Sequence, residues 1–205
     1  MSAVAQFSRL LALPWAYRAF RRIIGTERSW RVYLQEYVMP AAGEKVLDLG
    51  CGPADVLRYL PDVAYTGIDI SQEYVESARR RFGGARRFLC EDVSTFSFLA
   101  EQGSFDLALA TGVVHHLTDK EAGRLFEFAR LALRPGGRLV TFDGCYIPDQ
   151  SKMAGWVLGK DRGKFVRTRD EYERLAATAF SHVQGHLRHD LLRIPYTHLI
   201  MCCRN

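Results

Sequence analysis

Three groups of residues in this chain have the types and spacing to do chemistry. The first is a pair of carboxylates bracketing a glycine turn: Asp48, then Gly50-Cys51-Gly52-Pro53, then Asp69. Glycines let a backbone turn sharply and approach a ligand closely. A helix starting beyond the turn would offer unpaired N–H groups to the polar end of that ligand. A carboxylate about 20 residues past such a turn, at the tip of the next strand, can hydrogen-bond two ribose hydroxyls. The implied chemistry is the holding of a nucleoside-containing molecule. The second group is His115-His116. A histidine titrating near neutral pH suits a general base that takes the proton of an alcohol or phenol. The competing reading of this pair is packing and cleft shape. The third is Asp143, a second candidate base at the tip of an expected strand.

These residues need elements to carry them. Val46-Leu47-Asp48-Leu49 is a short apolar run, as a parallel strand buried on both faces requires. Val56, Leu57 and Leu60 resume at helical spacing, and a second apolar run, Val63 to Ile70, contains Asp69. The stretch reads as strand, glycine turn, helix, strand, one βαβ unit, with its ligand at the carboxyl ends of the strands. A dinucleotide site usually has a third glycine for close approach near the pyrophosphate. Here that position is Asp55, whose charge would repel pyrophosphate, so an NAD-dependent dehydrogenase is disfavoured.

At this point the chain resembles a known family. VLDLGCGPAD (46–55) followed by YTGIDIS (65–71) is similar to the first two cofactor motifs of class I S-adenosylmethionine-dependent methyltransferases. The resemblance continues in order through FLCEDV (88–93), FDLALATGVVHHL (105–117) and LRPGGRLVTFDG (133–144). One departure is Ala54, where the family often has a further glycine. The resemblance implies S-adenosyl-L-methionine as cofactor, in contact with Asp48, Gly50, Cys51, Gly52, Pro53, Asp69 and Ile70. It implies that Asp92 accepts a hydrogen bond from the adenine amino group, that the Val93 N–H serves a ring nitrogen, and that the Thr111 carbonyl meets the cofactor ammonium. Arg31 and Tyr33 become candidates for its methionine end.

The implied fold is α/β: a doubly wound, mostly parallel seven-stranded sheet with an antiparallel last strand and an N-terminal helical cap. The implied activity is methyl transfer to a small-molecule or glycoconjugate acceptor, preferentially on oxygen. Residues 143–168 with LRIPYTH (192–198) look similar to bacterial methyltransferases associated with surface polysaccharides. VVHHL recurs in the family across different substrates, which favours the packing reading of the histidines. Neither an Asn-Pro-Pro-Tyr tetrapeptide nor a Pro-Cys pair follows the fourth expected strand, which argues against a nucleic-acid substrate. A non-catalytic cofactor-binding scaffold or regulator is the alternative.

The 205 residues suit a single domain, 1–205. Residues 3–24 mix aromatic and apolar positions with arginines, and read either as part of a helical cap (1–40) over the cleft or as a weak membrane-surface contact. Residues 143–168 leave the carboxyl end of the fifth expected strand (Arg138–Phe142) and read as a substrate lid. Tyr146, Trp156, Lys160, Asp161, Arg162, Lys164 and Arg167 give it an aromatic and cationic mix that suits a polar ring substrate. Tyr196 and His198 read equally as core partners or as cleft residues. The net charge of +5 is scattered and demands no acidic partner. Five cysteines without zinc spacing point to free thiols in a reducing cytoplasm. Adjacent histidines on a strand point oppositely, so a metal shared by His115 and His116 is not expected. No apolar run is long enough to span a bilayer, and the N-terminus does not read as a good signal peptide, because Arg9, Arg18, Arg21 and Arg22 interrupt its apolar stretches. Monomer and homodimer are both compatible with the sequence.

Overall fold

The apolar runs become the strands of one sheet. The computed structural model describes residues 26–93, 102–159 and 163–205. Strands β1 (Lys45–Leu49), β2 (Ala64–Asp69), β3 (Arg87–Cys90), β4 (Phe105–Thr111) and β5 (Leu133–Tyr146) lie parallel in the order β3-β2-β1-β4-β5. A two-residue strand, β6 (Arg167–Thr168), pairs in parallel with Cys145 and Tyr146. The sheet then continues through β8 (His198–Arg204) to β7 (His182–Arg188), with β8 antiparallel to both β5 and β7. The sheet has the expected character, with β6 as an added short strand.

Helices cover both faces, as a sheet apolar on both sides requires. On one face α3 (Asp119–Ala132) and α5 (Arg169–Ala176) place Leu125, Phe126, Ala129, Tyr172 and Ala176 against Leu47, Leu49, Ile68 and Ala108. On the other, α1 (Thr26–Val32), its π-helical continuation Tyr33–Val38, and α2 (Gln72–Phe82) pack Tyr33, Leu34, Val75 and Ala78 against Val46, Tyr65, Leu107 and Val140. Ser71 caps α2 by accepting from the Tyr74 N–H. Thr118 and Thr168 cap α3 and α5 in reciprocal boxes with Glu121 and Glu171. The short helix α4 (Lys152–Leu158) lies within the 143–168 segment. Among the described residues no helix is long and apolar enough to cross a membrane. Residues 3–24 lie outside the described residues.

Two elements differ from expectation. The helix expected after the glycine turn is a single 3-10 turn, Asp55–Arg58. Pro61 disfavours helical backbone at Leu60, and Ala54 enters the turn in the left-handed region (φ 56°). Strand β5 begins at Leu133 instead of Arg138: Phe105 pairs with Leu133 and Leu107 with Arg138, so the Arg134–Gly137 turn is a register break inside the strand. The same strand runs on to Tyr146 because β8 and β6 supply partners for Gly144, Cys145 and Tyr146. Asp143 therefore lies within β5, and the excursion starts later than the sequence suggests.

Gly50 locks the loop after β1 to the turn after β4. Its φ is +71°, and a Cβ there would lie 2.3 Å from Val113 Cγ2. Gly50→Ala is expected to lower the unfolding free energy by about 2–4 kcal/mol, combining left-handed strain with overpacking. Urea denaturation of a double-mutant cycle with Val113→Ala checks this: the second change recovers the overpacking share, about 1–3 kcal/mol.

Candidate active site at the carboxyl ends of the strands

The sheet order places Asp48 (β1), Asp69 (end of β2), Asp92 (after β3), Thr111 (end of β4) and Asp143 (β5) along one edge. Connections leave in opposite directions at the β1/β4 boundary, the switch point where open α/β sheets bind ligands. Strand alternation divides these residues between faces. Asp48, Asp69 and Thr111 share the face of Tyr33 and Tyr65, whereas Asp143 and His115 belong to the face covered by α3 and α5. Val113 against Gly50 is where the two halves touch.

On the first face the glycine loop is built around Asp69. Its Oδ2 accepts from the Gly52 N–H and its Oδ1 from the Ser71 N–H, both at 2.8 Å. Gly50 and Cys51 donate to the Ile68 carbonyl. Gly52 has φ +54°, and a Cβ there would meet nothing within 4 Å, so the loop opens onto free space at that point. Cys51 is buried, its sulfur lies against Gly67, and burial pushes its thiol pKa up; its side chain is packing, not a nucleophile. Asp55 lies 2.5 Å from Arg81 Nη2, and Arg81 also donates to the Pro53 carbonyl. The charge expected to repel pyrophosphate is thus paired. Ile70, beside Asp69, is 72% exposed. Asp92 is half-buried, and the Val93 side chain lies in the core with Ile68 and Leu49.

Asp48 is buried and takes a 2.5 Å hydrogen bond from the Tyr65 hydroxyl. Burial, opposed by that bond and assisted by the nearby Asp69 charge, raises its pKa from 3.8 to about 7. Tyr65 is not among the site residues to which the sequence points. The available signal is strand alternation: Tyr65, Gly67 and Asp69 occupy one face of β2, a large residue and a gap below an acid. Tyr33 is fully buried; its hydroxyl donates to the Val140 carbonyl at 3.1 Å and accepts from Thr111 Oγ1 at 3.4 Å, while its ring stacks on Phe142. It is a core residue beneath the site, and Arg31 is exposed.

On the second face the two histidines part company. They lie on a 3-10 turn, Val114–His116, not on a strand, so their rings sit 4.3 Å apart instead of pointing oppositely. His116 is exposed and His115 is buried. Asp143, 3% exposed, uses Oδ1 for both the His115 backbone N–H (3.2 Å) and His115 Nδ1 (2.8 Å), while its Oδ2 has no hydrogen-bond partner among the described residues. With the proton on Nδ1, this pairing leaves Nε2 as the basic nitrogen.

The excursion divides as well. Arg167, expected to face a substrate, is 7% exposed and fully engaged with protein acceptors. Trp156 and Lys164 are exposed and Tyr146 is half-buried; Lys160, Asp161 and Arg162 lie outside the described residues. His198 is buried, its ring 4.7 Å from Phe142 and 4.4 Å from the half-buried Tyr196. Among the described residues no group of three His, Cys, Asp or Glu side chains is arranged to hold a metal ion.

Residues 46–137 match a family described as a methyltransferase domain. The chain is 32% identical over 154 residues to the 27-O-demethylrifamycin SV methyltransferase of Amycolatopsis mediterranei, covering 72% of this chain and 53% of that protein. It is 33% identical over 146 residues to an O-methyltransferase of Pyrenophora dematioidea, covering 65% and 52%. The chain thus spans about half the length of these curated relatives. A solved TehB-like SAM-dependent methyltransferase from Corynebacterium glutamicum superposes with a TM-score of 0.62 at 20% identity, covering 98% of this chain and 96% of that one, which establishes the shared fold.

The raised pKa of Asp48 has a signed consequence. Between 3.8 and about 7 the folded chain holds a proton that the unfolded chain has released. Stability from this group is therefore fully present below the lower value and is lost as pH rises to the upper one, at up to about 1.4 kcal/mol per pH unit. Thermal unfolding of wild type and Asp48→Asn from pH 4 to 8 checks it: the variant gains on wild type as pH rises, and the gap levels off above about 7.

Proposed function

The chain belongs to the class I S-adenosylmethionine-dependent methyltransferase family, and on that premise we propose that it transfers a methyl group from S-adenosyl-L-methionine to a hydroxyl oxygen of a small-molecule acceptor, glycoconjugates included. The observation that carries the oxygen assignment is the buried His115–Asp143 pair at 2.8 Å. Two relatives named as O-methyltransferases or as acting at an O-demethylated site support it.

The residues present fit the cofactor. Each oxygen of Asp69 accepts one backbone N–H and retains acceptor capacity for a ribose hydroxyl. Gly52 leaves open space above the loop, and the exposed Ile70 offers an apolar surface to a base. Asp92 and the Val93 N–H would read the adenine edge. The Thr111 carbonyl would take the ammonium, with Asp48 supplying negative potential nearby. When bound, the cofactor supplies a methyl group on a positively charged sulfur, already strongly electrophilic, so positioning provides much of the rate.

The protein's own chemistry concerns the acceptor. A neutral hydroxyl is a weak nucleophile, and removing its proton as the new oxygen–carbon bond forms is work for a general base. His115 takes that proton at Nε2. Asp143 holds the tautomer that leaves Nε2 free of a proton and stabilises the imidazolium that results. Tyr146 and Trp156 line the acceptor's approach from the lid.

Calorimetry with S-adenosyl-L-methionine, S-adenosylhomocysteine and NAD, followed by an acceptor screen beginning with phenols and sugars, tests this. Expected are micromolar binding of both sulfur compounds, none of NAD, and methyl transfer to oxygen. His115→Ala is expected to lower kcat by about 10²–10⁴-fold while cofactor affinity stays within about twofold. A folded protein that binds neither sulfur compound would falsify the reading. NAD binding would favour a dehydrogenase, and cofactor binding without turnover across the screen would favour a scaffold. Undiminished turnover by His115→Ala would remove the histidine from the mechanism.

A further inference from the structure

The turn that carries His115 is too short to hold its own shape. It is a 3-10 turn of three residues, with His116 N–H bonding to the Val113 carbonyl and Leu117 N–H to that of Val114. Besides the bonds of His115 to Asp143, contacts to the turn's carbonyls come from residues 163–168, about 50 positions away. Arg167 Nη1 donates to the Val114 carbonyl at 3.2 Å and Nη2 to the Leu117 carbonyl at 2.7 Å. The Phe165 N–H donates to the His115 carbonyl at 2.9 Å. The remaining guanidinium hydrogens go to Asp119 Oδ1, from Nε at 2.9 Å and Nη2 at 2.7 Å, and to the Phe165 carbonyl from Nη1 at 2.9 Å. A guanidinium has five N–H groups, and each one is used within the protein. None is left for a substrate.

The backbone of the same residue is fixed elsewhere. Arg167 stands opposite Cys145 in the β5–β6 pairing, and Cys145 is two residues beyond Asp143 on the same strand. Arg167 thus spans the His115–Asp143 pair: its side chain grips the turn bearing the imidazole, and its main chain is registered to the strand bearing the carboxylate. Gly163, in the same segment, lies close against the imidazole; a Cβ there would sit 2.1 Å from His115 Cδ2.

We propose that Arg167 is a positioning residue that fixes the orientation and tautomer of His115, which makes this part of the excursion a clamp on the candidate base. The use made of that orientation rests on the reading of His115 as the proton acceptor. The clamp needs a planar fork. Lysine offers three donors on a flexible stem and cannot satisfy three carbonyls and a carboxylate together. Without Arg167 the Val114 and Leu117 carbonyls must find water, and the ring edge on Asp143 Oδ1 loses the support of a fixed turn.

The test reads the imidazole directly and needs neither cofactor nor acceptor. The full chain is labelled with ¹⁵N-histidine and examined by long-range ¹H–¹⁵N correlation, with the His115 signals identified by their loss in His115→Gln. In wild type, neutral His115 is expected as the Nδ1–H tautomer. In Arg167→Ala its two nitrogen shifts are expected to move towards the averaged values of a freely exchanging imidazole, and in Arg167→Lys part of the way. Asp119→Asn keeps an acceptor oxygen and all three carbonyl contacts of Arg167, so it should leave His115 as in wild type. A cooperative thermal transition certifies each variant as folded. Wild-type His115 shifts in folded Arg167→Ala would overturn the proposal. If that variant does not fold, Arg167→Lys decides: unchanged shifts overturn it and averaged shifts support it. With an acceptor in hand, a kcat reduced about tenfold or more in Arg167→Lys at constant cofactor KM is the kinetic counterpart. Absence of methyl transfer by wild type would count against the proposed function and leave the spectroscopic result standing.

Discussion

A carboxylate buried in a sheet has to find donors, because an unpaired charge in that surrounding costs several kcal/mol. Asp143 sits inside β5 with almost no exposure and finds its donors in one residue, through the backbone N–H and the ring of His115. That pairing determines where the chain goes after β4. The turn must bring both groups of His115 to one oxygen, and it is too brief to do so unaided. The neighbouring elements are arranged accordingly. Gly112, at φ +70°, turns the chain and donates to the Phe142 carbonyl. Thr118 closes the turn as the cap of α3, and the Arg167 segment seals it from outside.

The two faces of the sheet edge handle their carboxylates differently. Asp69 is held by two backbone N–H groups and stays at the opening of the loop. Asp48, one strand away and deeper, has a tyrosine hydroxyl, and burial carries its pKa close to neutrality. A group poised in this way responds to charge brought near it, and a cationic ligand end would favour its ionised form. Asp143 is held by an imidazole, a partner that can itself accept and return a proton. The edge therefore offers an accepting carboxylate and a titratable acid on one face and an acid–imidazole pair on the other. This division supports the separation of cofactor binding from proton transfer in the proposed mechanism.

Ala54 shows how a loop tolerates a departure from its pattern. A left-handed alanine costs roughly 1–2 kcal/mol relative to ordinary backbone, yet Ala54 occupies that region at φ 56°. The residue is fully buried among Val56, Leu57 and Tyr65, and burying a methyl group contributes about 0.8 kcal/mol. The Arg81 bridges to Pro53 and Asp55 hold the turn in place. The small turn that follows takes the place of the longer helix suggested by the spacing of Val56, Leu57 and Leu60.

Much of the molecule was determined by the sequence alone, wherever the signal is local. Apolar runs specified the parallel strands because a strand covered on both faces admits little else, and the glycines and terminal acids placed Asp69 at a strand tip with its loop beside it. The pattern of ordered motifs carried the family. What only the tertiary structure decided depends on contacts between distant segments. Burial separated His115 from His116, a distinction invisible in two adjacent identical residues, because one ring is buried against Asp143 from β5 and the other residue is exposed. Arg167 reads as a surface cation in sequence and is a buried clamp in the fold, because its four acceptors come from a turn, a helix start and the residues just before its own strand. Tyr65 becomes the partner of Asp48 only once β1 and β2 are in register. Local periodicity fixes which face a side chain takes; which partner it meets there is set by the packing of the whole chain.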